Sequence, residues 1–159
     1  MSNLLFELYV VLKGWLTHPT TWVTATAWLS ADLLKVLILR FRHGVTDWRR
    51  FFGTGGMPSS HTAFITGLTT CIALSEGLKS PLFGLALGLC ILTSVDAAGL
   101  RRSAGLQAEV LNQIVEDLYK GRDVKPPKVK EHLGHTLPEV LGGVAVGIAV
   151  AFLLYPTHP

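Results

Sequence analysis

The chain has 159 residues and a formal net charge of +3; 49% of its residues are hydrophobic and only 16% are charged. Its mean hydropathy of +0.42 is too high for an ordinary soluble domain, and several apolar segments approach the roughly 17–25 residues that cross a bilayer as a helix. The alternative is that these segments form the buried core of a soluble all-helical bundle. The small charge, and basic residues that flank apolar segments, also argue against nucleic-acid binding. We expect one membrane domain over residues 1–159.

The first third of the chain predicts two helices and a loop. Residues 4–16 are apolar but short, which is typical of a tilted, re-entrant or interfacial helix, and the sequence THPT ends it. Residues 21–39 are long enough to span the bilayer, although Asp32 and Lys35 lie in the last third of this segment. The basic sequence RFRHGVTDWRRFFGTGGMP at 40–58 contains several glycines and predicts a loop.

A helical hairpin follows, with apolar segments at 61–78 and 81–95 around the turn KSP. Residues 98–122 place apolar side chains on one helical face and acidic side chains elsewhere, which indicates an amphipathic helix on a membrane surface. Residues 137–155 are rich in Gly, Val and Ala and predict a last span suited to close helix contact. The predicted fold is an all-α polytopic membrane helical bundle with about four transmembrane spans, a short N-terminal helix and a surface amphipathic helix.

The basic residues are distributed unevenly over the predicted loops. If the spans are counted correctly, loop 40–60 and region 97–135 lie on one side of the membrane, and they hold eleven of the fourteen Lys and Arg residues. The turns on the opposite side hold only Lys79. Because basic loops stay preferentially on the cytoplasmic side, we expect the basic face to be cytoplasmic, or stromal if the host membrane belongs to a plastid.

Polar side chains inside apolar spans are energetically costly and usually functional. In this chain they concentrate at the ends of the spans that face the basic side. Lys35 and Arg42 are seven residues apart and share a helical face if the helix extends that far. His61 opens the next span, directly after the sequence PSS. His135 and Glu139 are four residues apart at the entry to the last span, a spacing at which the carboxylate accepts a hydrogen bond from the imidazole.

Each of these features also has a purely structural interpretation. Lys35 and Arg42 are long enough to snorkel to the lipid headgroups. Ser60 is a good helix cap whether or not it binds a ligand. His135 with Glu139 also fits a single interfacial polar pair. Their common depth and side in the membrane favour a shared role.

A phosphate site needs this combination of groups. Lys and Arg side chains neutralise a phosphoryl group, while N–H groups at a helix start and the hydroxyls of Ser59 and Ser60 donate hydrogen bonds to its oxygens. One neutral histidine, oriented by a carboxylate, can attack phosphorus, and a second histidine can protonate the departing oxygen. The sequence therefore predicts an anion site at headgroup depth.

Three segments of the chain resemble, in the same order, the motifs K-x6-R-P, P-S-G-H and S-R-x5-H-x3-D of the type-2 phosphatidic acid phosphatases and the related vanadium haloperoxidases. These segments are KVLILRFRH at 35–43, PSSH at 58–61 and HTLPE at 135–139. The resemblance covers a motif-bearing core of about residues 30–155. It is closest to the divergent, small membrane branch described as acid phosphatase or haloperoxidase-related.

The resemblance implies a role for each matched residue. His135 would be the nucleophile that forms a phosphohistidine, Glu139 would orient it, and His61 would be the general acid. The residues that would hold the phosphoryl oxygens are Lys35, Arg42, Ser59 and Ser60. Neither a metal nor another cofactor is implied.

The chain departs from the family motifs at four positions. His43, Ser60 and Glu139 stand where the family has proline, glycine and aspartate. Val129 stands where the third motif has its arginine. The basic residues that would have to replace this arginine are Lys128, Lys130, Arg101 or Arg102. Because lysine lacks the bidentate fork of arginine, a lysine replacement would bind the transition state less well or leave the protein inactive.

Asp96, in the sequence SVDAAGLRR at 94–102, has two interpretations. An intramembrane carboxylate normally has a partner. One interpretation is an ion pair that ties the span to the amphipathic helix, with Arg101 or Arg102. The other is a role at the anion site, either as a partner that positions Lys35 or His61 or as a part of the site itself.

The sequence therefore predicts a membrane phosphatase that hydrolyses a lipid phosphate monoester or pyrophosphate through a phosphohistidine. The alternative is a catalytically silent membrane protein that binds lipid headgroups or serves as a small subunit of a larger membrane complex. Vanadate-dependent halide oxidation is a third, more remote alternative. The expected partners are a lipid phosphate substrate and the membrane, without nucleic acid. The motif-bearing core has about one helix fewer than the usual core of the family. A homodimer would supply the side of the bundle that this helix normally forms.

Overall fold

The structure is a computed structural model, and it describes residues 2–48, 51, 56–120, 129 and 135–156. Within these ranges the regular elements are helices, without a strand, which confirms the predicted all-α class. The helices are α1 (Ser2–Thr17), α2 (Pro19–His43), α3 (Ser60–Glu76), α4 (Pro81–Ala98), α5 (Leu100–Tyr119) and α6 (Leu137–Leu154).

Capping residues set the limits of α2. The helix begins at Pro19, directly after its N-cap His18, and proline suits this position because an N–H there would have no helical partner. The helix ends before Gly44, whose φ of 70° is the left-handed conformation common after helix ends. α2 therefore extends beyond the predicted span 21–39 and carries Arg42 on its last turn.

Three stretches of the described residues are long and apolar enough to cross a membrane. They are Pro19–Arg42, Pro81–Tyr119 and Leu137–Leu154. The second stretch joins α4 and α5, which only Gly99 separates, a continuity that the sequence did not predict. α3, the remaining predicted span, has 17 residues, or about 26 Å of helix, so its crossing of the membrane stays a prediction.

α3 is the central helix and packs against α2, α4 and α6, most extensively against α6. Glycines let the two backbones approach. A Cβ on Gly147 would lie 2.5 Å from the carbonyl oxygen of Ala63 and 2.8 Å from the nitrogen of Gly67. A Cβ on Gly143 would overlap the carbonyl oxygen of Ser59. The last helix thus uses its small residues for close contact, as helices in lipid commonly do.

The helices meet so that α3 and α6 begin at the same end of the bundle. Lys35, near the end of α2, reaches Ser60 at the start of α3. The N–H of His135, just before α6, donates to the carbonyl of Ala97 at the end of α4, at 2.8 Å. We call this end, where α2 and α4 finish and α3 and α6 start, the site end. Both basic regions of the sequence connect to it.

α5 contacts α4 but no other described helix. The side chain of Asn112, which is buried, donates to the carbonyl of Val129 at 2.7 Å and accepts from its N–H at 2.8 Å. The apolar side chains of Val110, Ile114 and Leu118 are exposed. This exposed apolar face suits the predicted position on a membrane surface, which stays a prediction.

Candidate functional site

The two histidines singled out from the sequence lie side by side at the site end. The ring centroids of His61 and His135 are 6.5 Å apart, and the ring planes are tilted by 54°. His135 is buried, with 4% of its surface exposed, whereas His61 is exposed. The close packing of α3 on α6 therefore brings together two imidazoles that are far apart in the sequence.

Glu139 orients the ring of His135. Its Oε2 atom lies 3.1 Å from Nδ1 of His135, as the spacing of four residues predicted. An ionised carboxylate only accepts hydrogen bonds, so the hydrogen bond places the proton of the neutral imidazole on Nδ1. The other nitrogen, Nε2, then carries the lone pair and is able to act as a nucleophile.

The same carboxylate also caps α6. The N–H of Thr136, the N-cap, donates to Oε2 of Glu139 at 3.0 Å, and Glu139 occupies the third helical position of a capping box. Because one oxygen receives both hydrogen bonds, the start of the helix and the orientation of the His135 ring are coupled. The capping box thus explains why position 139 carries a glutamate.

Lys35 is held at the site end by two polar partners. Its Nζ atom donates to Oδ1 of Asp32 at 2.7 Å and to Oγ of Ser60 at 2.8 Å. All three residues are at most 5% exposed. Asp32 compensates the charge of Lys35, because a buried ammonium without an acceptor would be very costly. The ammonium has three N–H groups, and Asp32 and Ser60 are its two partners among the described residues.

Asp32 is a member of the site that sequence reasoning did not assign. Its distance of three residues from Lys35, within an otherwise apolar segment, was the available signal. The sequence instead offered Asp96 as one partner for Lys35. Asp96 is partly buried near the end of α4, and the carboxylate that pairs with Lys35 is Asp32.

Ser59, rather than Ser60, is the N-cap of α3. Its Oγ atom accepts hydrogen bonds from the N–H of Thr62 at 3.4 Å and from the hydroxyl of Thr62 at 3.0 Å. Its own N–H donates to the carbonyl of Glu139 at 2.8 Å. Ser59 is fully buried, so it ties the start of α3 to α6, and Ser60 is the serine next to Lys35.

Among the other basic residues that the sequence predicted for the site, only Arg42 has a described side chain. Arg42 is exposed on the last turn of α2 and makes no hydrogen bond or ion pair within the described part of the chain. Arg101 and Arg102 lie in the first turn of α5, at the site end, but their side chains are outside the described set. Lys128 and Lys130 are outside the described residues altogether.

The backbone adds positive potential to the same place. The N-termini of α3 and α6 both open at the site end, and helix N-termini carry partial positive charge and orient N–H groups towards anions. Combined with Lys35, this arrangement favours a negatively charged group beside the two histidines. Among the described residues, no group of three or more His, Cys, Asp or Glu side chains is arranged to hold a metal ion.

Comparison with known proteins gives two matches. A family model described as the divergent PAP2 family matches residues 16–150. A relative from Bacillus subtilis (strain 168), described as the uncharacterized membrane protein YuiD, is 38% identical over 137 residues, which cover 79% of this chain and 87% of the relative. No solved structure matches the chain.

Proposed function

The chain belongs to the divergent PAP2 family of membrane proteins, and from this premise we propose that it is a phosphatase of lipid phosphates. It would hydrolyse a phosphate monoester or pyrophosphate at a lipid headgroup through a phosphohistidine on His135. The observation that carries this proposal is the His135–Glu139 pair next to the ring of His61. A nucleophile, its orienting carboxylate and a second acid–base group are thereby in one place.

The first step transfers the phosphoryl group to the enzyme. Nε2 of His135 attacks the terminal phosphorus, and the bond from this phosphorus to the leaving oxygen breaks, which is the ester oxygen of a monoester or the bridging oxygen of a pyrophosphate. His61 gives its proton to that oxygen. A monoester releases the lipid alcohol, and a pyrophosphate releases the lipid monophosphate. In the second step water attacks the phosphohistidine, His61 takes a proton from the water, and inorganic phosphate leaves.

The charge that spreads over the phosphoryl oxygens is met by fixed donors. Lys35 offers its ammonium group, the hydroxyl of Ser60 lies beside it, and the helix starts supply backbone N–H groups. We propose that Arg42, with Arg101 or Arg102, completes this set in place of the arginine that the family carries where this chain has Val129. Ser59 supports the set from its buried cap position.

The substrate is proposed to be a lipid because the site lies at the end of a membrane-spanning bundle, where headgroups reside. Phosphatidic acid, phosphatidylglycerophosphate and polyprenyl pyrophosphate all present such a phosphate. The high share of basic residues in the loops at the site end supports a cytoplasmic or stromal active face.

The test is phosphate release by the purified protein from a panel of these lipid phosphates. We expect turnover in the wild type, an acid-labile phosphorylated intermediate, and loss of both in His135→Ala. Lys79→Ala is the control, because Lys79 is exposed in the turn between α3 and α4, at the opposite end of the bundle. Turnover that survives unchanged in His135→Ala would eliminate the mechanism.

A second candidate is a catalytically silent protein that binds lipid headgroups or serves as a subunit of a membrane complex. The observations that favour it are the pairing of Lys35 with Asp32 and the valine at position 129. Both reduce the positive charge available to a transition state. Headgroup binding without turnover on any phosphate ester, or tight co-purification with other subunits, would select this candidate.

A further inference from the structure

One face of α3 lies open between α2 and α4. α6 covers the opposite side of α3, where the glycines pack. The open face carries His61, Phe64, Leu68 and Ile72 on successive turns, and these residues line two cavities of about 410 Å³ and 720 Å³. Both cavities include Trp28 and Phe64, so they adjoin along this face of α3, and we call the two together the α3 groove.

We propose that the α3 groove holds one hydrocarbon chain of the lipid whose phosphate sits beside His61 and His135. The inference rests on the proposed function, which places the phosphate of the lipid beside the two histidines. It assigns to the groove a separate task, which is to bind and select the tail.

The lining of the groove fits a hydrocarbon chain. Aromatic and aliphatic side chains from four helices line it: Trp15 from α1, Trp28 from α2, Phe64, Leu68 and Ile72 from α3, and Leu82 from α4. Polar residues are found towards its two ends, with His61 at one and Glu76 at the other. This sequence of polar, apolar and polar surface matches the profile of a bilayer. The exception is Thr24 of α2, which lines the larger cavity and whose buried Oγ1 atom has no hydrogen-bond partner among the described residues.

The position of the groove links it to the candidate active site. His61 is part of the groove wall and also lies beside His135. The same end of α3 holds Ser60 and Lys35. A ligand that follows this surface therefore meets a cationic site and then an apolar channel, which is the order of a lipid phosphate with its anionic head and its tail.

The length of the groove favours long chains. From His61 to Glu76 the helix rises by about 22 Å, which is more than half of the roughly 30 Å hydrocarbon thickness of a bilayer. A chain that fills the groove therefore reaches past the bilayer midplane. Because binding energy from remote parts of a substrate also serves the reacting end, short-chain phosphates lose turnover as well as affinity.

Photo-crosslinking tests the proposal without requiring turnover. Hexadecyl phosphate with a diazirine in the middle of the chain is added to the protein in vesicles of zwitterionic lipid, and the adducts are located by mass spectrometry. We expect adducts at Trp28, Phe64, Leu68 and Ile72, lowered by excess hexadecyl phosphate but not by hexadecanol. Leu68→Trp fills the groove and should reduce these adducts about tenfold, whereas Leu92→Trp, on a lipid-exposed position of α4 outside the groove, should not.

Turnover adds an independent readout. Leu68→Trp should lower kcat/KM for hexadecyl phosphate about tenfold and leave butyl phosphate unaffected, because only the long chain reaches the middle of the groove. Ile72→Trp is the second variant if Leu68→Trp fails to fold.

Two results would overturn the proposal. One is adducts spread over lipid-exposed residues of all helices and unchanged in Leu68→Trp. The other is occupation of the groove by α1 of a second copy, detected as disulfide-linked dimers in the variant Leu8→Cys/Leu68→Cys. Phosphate release without groove adducts would refute tail binding in the groove and leave the proposed phosphatase function intact. Groove adducts without any turnover would support tail binding and refute the phosphatase function.

Discussion

Single side chains in this protein serve structure and chemistry together. Glu139 caps α6 through the N–H of Thr136 and orients His135 with the same oxygen. Ser59 caps α3 and binds the backbone of α6. A residue that has a structural role at a helix start is therefore not excluded from the site, because helix starts are where backbone donors and oriented side chains coincide.

The Asp32–Lys35 pair allows stability and activity to be separated. Lys35→Met leaves the carboxylate of Asp32 buried without a partner and should lower the free energy of unfolding by about 3–5 kcal/mol. The double variant Asp32→Leu/Lys35→Met removes both charges and should recover most of that loss, yet remain inactive if Lys35 binds the phosphoryl group. Thermal unfolding in detergent and phosphate release measure the two effects. A double variant that is fully active would show that the pair is structural only.

At the scale of elements, the contact between α3 and α6 decides whether the two histidines meet. The parallel course of these helices places both N-termini at the site end, and Gly143 and Gly147 set how closely the backbones approach. A displacement of α6 would move His135 away from His61 even if every residue of the site were retained.

Gly147→Ala tests this dependence. The new Cβ would lie 2.5 Å from the carbonyl oxygen of Ala63, so the helices must separate, with an expected loss of about 1–3 kcal/mol in the free energy of unfolding and reduced phosphate release. Gly88→Ala is the matched control, because no atom lies within 4 Å of its added Cβ, and it should be neutral or stabilising by up to about 1 kcal/mol. Equal behaviour of the two variants would contradict this role of the contact.

At the scale of the whole molecule, the bundle has one polar, basic end and an apolar body. Three stretches long enough to span a membrane and a membrane-protein relative support an integral membrane protein. The ends of α2 and α4 meet the starts of α3 and α6, so the described residues at which both basic regions begin and end lie at the site end. Which membrane side this end faces stays a prediction.

Cysteine labelling tests that side. In a background where the two free cysteines, Cys71 and Cys90, are replaced by alanine, Val45→Cys reports the loop at the site end and Leu78→Cys the opposite turn, and both native side chains are exposed. We expect an impermeant maleimide to label position 78 in intact cells and position 45 only after permeabilisation, because basic loops stay on the cytoplasmic side. The reverse pattern would refute the predicted orientation.

Much of the fold was predictable because it depends on local properties of the chain. Apolar segments, the KSP turn and the small residues of the last helix correspond to α2, α3, α4 and α6. The extension of α2 to His43 and the near continuity of α4 with α5 were not predicted, since helix ends depend on capping geometry and not on hydropathy. The His135–Glu139 hydrogen bond was predicted from the spacing of four residues in a helix. In the structure His135 precedes the N-cap of α6, so the two side chains meet at the capping box and not within the helix.

The sequence by itself determined the helical class, the apolar segments, the order of the three motifs and the local pair at the start of α6. Only the tertiary structure decided that Lys35 binds Ser60, that His61 lies beside His135, and that one face of α3 stays open. The physical reason is that these contacts join residues on different helices. They depend on how closely glycine-lined backbones pack, a property of the assembled bundle and of no single segment.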